Sequence, residues 1–186
     1  MSNLKKTFFF SGLVSALAFS NLASAQDGTI NFIATISSSA CSVNSVSGSA
    51  STRGVVDFGT VSSKTFGTAG KHTVSTPFTI ALTDCAVSSA PTITFEGTPV
   101  STTGYTELYE SGIVGLGIRI EDAGAPGTYY TSGTAAANTG LNTLTSTSVS
   151  SADAKFNAYL VDYKGATNYT GSIDTDVTFT INYVNS

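Results

Sequence analysis

An all-β sandwich is the architecture this sequence predicts, and three observations carry the prediction. Apolar and polar residues alternate in segment after segment, the period of two that puts every second side chain on one face of a strand. Thr, Val, Ile, Phe and Tyr, which fit a pleated surface, are plentiful, while the helix formers Lys, Glu, Gln and Arg are scarce. Between the alternating runs lie stretches rich in Gly, Ser, Thr and Asn, the punctuation expected between strands.

Taken in order, residues 1–25 (MSNLKKTFFFSGLVSALAFSNLASA) form an export signal rather than a strand. Lys5 and Lys6 give a basic start, Phe8 to Phe19 a short apolar centre, and Ala23-Ser24-Ala25 a cleavage site. The apolar stretch is too short to span a bilayer core of about 30 Å. The first alternating run is DGTINFIATI, with Ile30, Phe32, Ala34 and Ile36 on one face. VVDFGTV at 55–61 is a shorter candidate strand. HTVSTPFTIALTDC places Val74, Phe78, Ile80 and Leu82 together, and PTITFEG does the same for Ile93 and Phe95. GIVGLGIRIEDAG predicts Val114, Leu116, Ile118 and Ile120 on one face. FNAYLVDY sets Phe156, Ala158 and Leu160 against Tyr159, Val161 and Tyr163. DVTFTINYV ends the pattern with Val177, Phe179, Ile181 and Tyr183. Residues 123–154 are too long for a bare loop, which predicts a further strand near Thr128–Thr131 and another near Leu141–Thr145. Nothing in composition splits the mature chain, which reads as one domain.

Composition narrows the function. The chain has 186 residues, 41% apolar and only 11% charged, with a net charge of −4; ordinary usage is about 25% charged. Without residues 1–25 six basic residues face twelve acidic ones, a net charge of −6. Such a surface offers nothing to nucleic acid or anionic lipid, and no later apolar run is long enough to span a membrane. Cys41 and Cys85 are the two cysteines. An even pair in an exported chain points to one disulfide, the alternatives being free thiols or a zinc site. Zinc favours four N/S ligands, and His72 is the single histidine. No G-x-S-x-G motif surrounds a serine, and Gly115 and Gly117 lack the third glycine of a dinucleotide loop. Glu121-Asp122 reads as turn polarity, and Glu107 and Glu110 lie in a tyrosine-bearing loop as weak ligand candidates. No catalytic residue, metal or cofactor is expected.

The two ends carry more. A sandwich must pair or cover its edge strands, yet only three residues follow Tyr183, so no strand remains in sequence to pair beside the last one. Ahead of Cys41 lies an alternating strand that nothing yet ties down. The two could pair within one chain or between chains.

The order DGTINFIATISSSACSV, FGTV, PFTIALTDC, GLGIRIEDAGA, FNAYLVDY and DVTFTINY, covering nearly the whole mature chain, resembles the pilin subunits of bacterial chaperone–usher fimbriae, close to type 1 and F17-like major pilins. The resemblance implies an incomplete immunoglobulin-like sandwich lacking its final strand, with Cys41–Cys85 as the family disulfide. It implies residues 26–36 as a donor-strand extension and 37–186 as the pilin domain. The donor residues would be Gln26, Gly28, Ile30, Phe32 and Ala34, with Gln26 in the last pocket; the acceptor edge would be Val177, Phe179, Ile181 and Tyr183. The partners implied are a periplasmic chaperone, an outer-membrane usher and copies of the chain itself, assembled by strand addition into a cell-surface filament that supports adhesion. A minor or adaptor subunit is an alternative. From another class comes a self-contained secreted sandwich binding carbohydrate through Tyr105, Tyr109, Tyr129 and Tyr130. A two-domain tip adhesin has no room in this length.

Overall fold

The longest alternating run sets the centre of the molecule. In the computed structural model, which describes residues 40–50 and 52–184, seven strands form: β1 (Ser42–Val46), β2 (Thr76–Thr83), β3 (Thr92–Glu96), β4 (Tyr109–Glu110), β5 (Leu116–Asp122), β6 (Ala152–Asp162) and β7 (Thr178–Asn182). The eleven residues of β6 lie between β2 and β5 in a five-stranded antiparallel sheet of order β1-β2-β6-β5-β4. β3 and β7 make a second, two-stranded antiparallel sheet. The described residues belong to one compact unit, Ile36–Ser186.

Central position explains the pattern of β6. Paired on both edges, it buries Ala154, Phe156, Ala158 and Leu160 on the core face. Val161, on the other face, belongs to a second cluster with Val100 and Leu108. The main core joins the two sheets through Phe156, which stacks on Phe78 (4.9 Å) and meets Phe95 of β3 edge-on (5.2 Å). Pro77 is accommodated in β2 because β1 pairs only from Ile80 onward, leaving one edge of β2 free where proline can donate no hydrogen bond. The Cys41–Cys85 disulfide links the start of β1 to the chain just after β2.

Several sequence expectations change. Val74 is 88% exposed and Val114 is 74% exposed. β2 begins only at Thr76, because the preceding residues dock differently: the Thr73 N–H donates to the Leu160 carbonyl at 3.0 Å. Val114 sits in a turn where Gly115 takes φ +100°, so β5 starts after it. The strand expected at 128–131 shrinks to an isolated bridge between Glu121 and Tyr129, and Leu141–Thr143 is a 3-10 turn. The long connection still contributes to the core, since Tyr130, Leu141 and Leu144 are fully buried. VVDFGTV forms no ladder among the described residues. The strand expected at 30–36 lies outside the described residues.

Candidate functional site

Among the described residues, β7 is bonded along one edge only. On that side it pairs with β3 from Thr92 opposite Asn182 to Glu96 opposite Thr178. Along its other edge, among the described residues, runs a groove with a volume of about 1160 Å³. Val177, Phe179, Ile181 and Tyr183 are all half-buried and line this groove, while Asp176, Thr178 and Thr180 beside them are exposed. Its floor is the hydrophobic core itself, with Ile80, Phe95, Ile118, Ile120 and Leu160 contributing to the lining. The gap thus runs into the interior of the sandwich.

The facing wall is the segment that failed to become a strand. Gly54, Val56 and Phe58 are half-buried while Val55, Asp57 and Gly59 are exposed, a strand's alternation without a strand's partner. Among the described residues, the backbone of 54–61 makes no backbone–backbone hydrogen bond. Its polar contacts are local: the Ser47 hydroxyl donates to the Val55 carbonyl (2.9 Å), and the Gly59 N–H donates to Asp57 (2.7 Å). Gly54 is required where this segment leaves β1, since a Cβ there would collide with the Val46 carbonyl oxygen. The groove therefore lies between two strand-like edges that, among the described residues, share no ladder with each other.

One end of the lane is fixed by a buried carboxylate. Asp162 is fully buried and accepts four hydrogen bonds, from the N–H groups of Gly67 (3.0 Å), Lys164 (2.9 Å) and Gly165 (2.6 Å) and the Tyr169 hydroxyl (2.6 Å). Burial alone would raise its pKa, but the Tyr169 hydroxyl and these N–H donors outweigh burial and hold it below the usual carboxylate value. Burial and the bond to Asp162 push the Tyr169 hydroxyl to about 12. Tyr169 in turn meets Phe66 edge-on at 5.5 Å, and both rings line the groove. At the rim Arg53, from the 54–61 side, pairs with Asp176, just before β7, at 3.0 Å.

The remaining candidates resolve as structural groups. Tyr109 and Tyr130 are buried, the first donating to the Tyr130 carbonyl and the second to the Ala137 carbonyl. Tyr129 lies under the Arg119 guanidinium at 4.6 Å, and Tyr105 packs near Tyr163. Two of the four tyrosines of the carbohydrate-binding alternative are thus withdrawn into the core. Glu121 and Asp122, read as turn polarity, are buried and hold the turn from within, accepting from the N–H groups of Gly127 and Gly124. Glu107 pairs with Arg119 at 2.6 Å. His72 packs edge-on against Tyr159, and among the described residues no three His, Cys, Asp or Glu side chains converge as a metal site. No helix of the described residues is long and apolar enough to cross a membrane. The donor positions Gln26, Gly28, Ile30, Phe32 and Ala34 lie outside the described residues.

Two facing β-sheets whose described residues leave the core open along β7 define an incomplete immunoglobulin-like sandwich. This is the fold of pilus subunits. A chain from a chaperone–usher pilus structure bearing on rod uncoiling aligns with a TM-score of 0.59 at 19% identity, covering 86% of this chain and 97% of that one. The P pilus rod subunit PapA aligns at 0.55 and 19% identity (77% and 99% covered). The P pilus adaptor subunit PapF aligns at 0.51 and 17% identity (77% and 95%). No curated protein sequence matches the chain. The fimbrial protein family matches residues 30–184, and the chain belongs to that family.

Proposed function

We propose that this fimbrial subunit polymerises by taking a β-strand from a neighbouring copy into the groove beside β7. The observation that carries the reading is the unpaired lane among the described residues: one bonded edge on β7, a strand-like segment at 54–61 without a backbone partner, and core residues as the floor. An alternating apolar strand is the chemistry that fits it, since its backbone can bond both walls while every second side chain enters the core. Residues 26–36 offer that pattern, with Ile30, Phe32 and Ala34 as the inserting side chains beyond Gly28 and Gln26. Burying Ile30 and Phe32 contributes roughly 1.5–3 kcal/mol each, and each ladder bond adds about 0.5–1.5 kcal/mol. The contact joins unlike surfaces head to tail, so it propagates as a filament instead of closing into a dimer.

Removal of residues 1–25 on export would expose this extension in the mature chain. Until a neighbour arrives the open core needs cover, which is the part of a periplasmic chaperone, with an outer-membrane usher as the place of exchange. The test is a pair of variants. Deleting Asp27–Ala34 abolishes polymerisation while leaving a subunit that accepts an added peptide. Appending DGTINFIATI after Ser186 through a flexible linker gives a stable monomer. Filaments from the deletion variant, or a stable monomer from it with no added strand, would overturn the proposal.

A further inference from the structure

We propose that the Arg53–Asp176 ion pair is a clasp across the groove that must open before a strand can seat, and so sets the rate of strand uptake. This deepens the strand-uptake reading and rests on it. Arg53 belongs to the wall that leaves β1, and Asp176 to the wall that leads into β7; both line the groove. They are 123 positions apart in sequence, yet Arg53 Nη2 lies 3.0 Å from Asp176 Oδ1. No backbone hydrogen bond joins residues 54–61 to β7 among the described residues. The ion pair thus links two walls that the ladder leaves separate.

Geometry makes the pair an obstacle. A strand bonded to both walls needs them two inter-strand spacings apart, roughly 9.5 Å backbone to backbone. The bridge runs from one wall to the other at the rim of the groove, where an incoming backbone meets it and displaces it to settle. The charge setting favours the closed form: Asp57, Asp174 and Asp176 also line the groove, a carboxylate-rich surround for the Arg53 guanidinium. The pair is nevertheless weak enough to open. Its side chains are 81% and 77% exposed, so solvent screens it and its effect falls with salt. Such a clasp slows insertion without blocking it.

The experiment follows uptake of a fluorescein-labelled synthetic peptide, QDGTINFIATI, by the full chain at low protein concentration, using stopped-flow anisotropy over a range of NaCl concentrations. Asp176→Asn is expected to speed uptake by about 1.5- to 5-fold at low salt, the range open to an exposed ion pair, and to remove most of the salt dependence. Wild-type uptake rises toward the variant's rate as salt is added. The paired exchange of Arg53→Asp with Asp176→Arg restores slow, salt-sensitive uptake, which a merely local change at Asp176 would not do. Equal rates for wild type and Asp176→Asn at every salt concentration, with the peptide still bound, would overturn the clasp and leave the groove reading standing. A peptide that binds no variant would overturn the groove reading, and the clasp with it.

Discussion

Replacing Asp162 by Asn tests whether a buried charge organises the end of the groove. Oδ1 of Asp162 takes the Lys164, Gly165 and Tyr169 donors, and Oδ2 takes the Gly67 N–H at 3.0 Å. An asparagine oxygen can keep the first three bonds, but its NH2 group then faces the Gly67 N–H, donor against donor. One charge-assisted bond is lost, about 1.5–3 kcal/mol, and the three survivors become neutral bonds of roughly half the strength. Burying a neutral amide costs less than burying a carboxylate and offsets part of this, so the expected loss is about 2–4 kcal/mol, read by urea unfolding with circular dichroism in the monomer that carries the appended strand. The pH dependence has a defined sign. Because the folded-state pKa lies below the ordinary value of 3.8, the ionised form is favoured by folding. Its contribution is complete above that ordinary value and is lost as the pH falls through it toward the folded value. The gap between wild type and Asp162→Asn should therefore narrow on acidification. A neutral-pH loss within about 0.5 kcal/mol, the range of ordinary surface changes, or a gap that widens in acid, would refute the reasoning.

Removing the disulfide with Cys41→Ala and Cys85→Ala releases a loop with a sequence separation of 44. This should cost about 4 kcal/mol in the chain-entropy account, seen as a lowered melting temperature that reductant no longer shifts. Gly140→Ala should destabilise by about 1–3 kcal/mol in the same unfolding assay. Gly140 sits at ordinary helical angles (φ −69°), so the cost is steric: the new Cβ would strike the Asp153 carbonyl oxygen. Ile181→Ala, which trims the β7 wall while leaving its pairing with Ile93, should weaken binding of the peptide QDGTINFIATI about tenfold, as expected from losing one to two kcal/mol of apolar contact. Unchanged affinity in fluorescence titration would remove Ile181 from the strand-binding wall.

Much of the architecture was legible because burial here follows the pleat. Ile80 and Leu82, Ile93 and Phe95, and Phe156, Ala158 and Leu160 alternate in sequence and are buried in the structure. The same rule placed Val177, Phe179, Ile181 and Tyr183 on one face, and that face lines the groove. Legibility failed where pairing, not pattern, determines the outcome. VVDFGTV has a strand's alternation but no backbone partner among the described residues. The opposite error arose at β1 and β4: no strand was expected at Ser42–Val46, and Tyr109–Glu110 pair inside what read as a tyrosine-bearing loop. Asp162 gave no local signal, because the donors that make its site come from residues 67 and 164–169, gathered only by the fold. Tyr109 and Tyr130 looked like surface aromatics because their loops are polar, yet each hydroxyl finds a carbonyl inside.

The lane between β7 and residues 54–61 also has a mechanical meaning. A strand seated there would lie along both walls, and ladder hydrogen bonds run perpendicular to the strands they join. Tension drawn along that strand would load all its bonds at once, in shear, whereas peeling from one end would break them in turn. Such a joint resists pulling along the lane far better than prying across it, so the rupture force of a linked pair of subunits should depend on the direction of the pull.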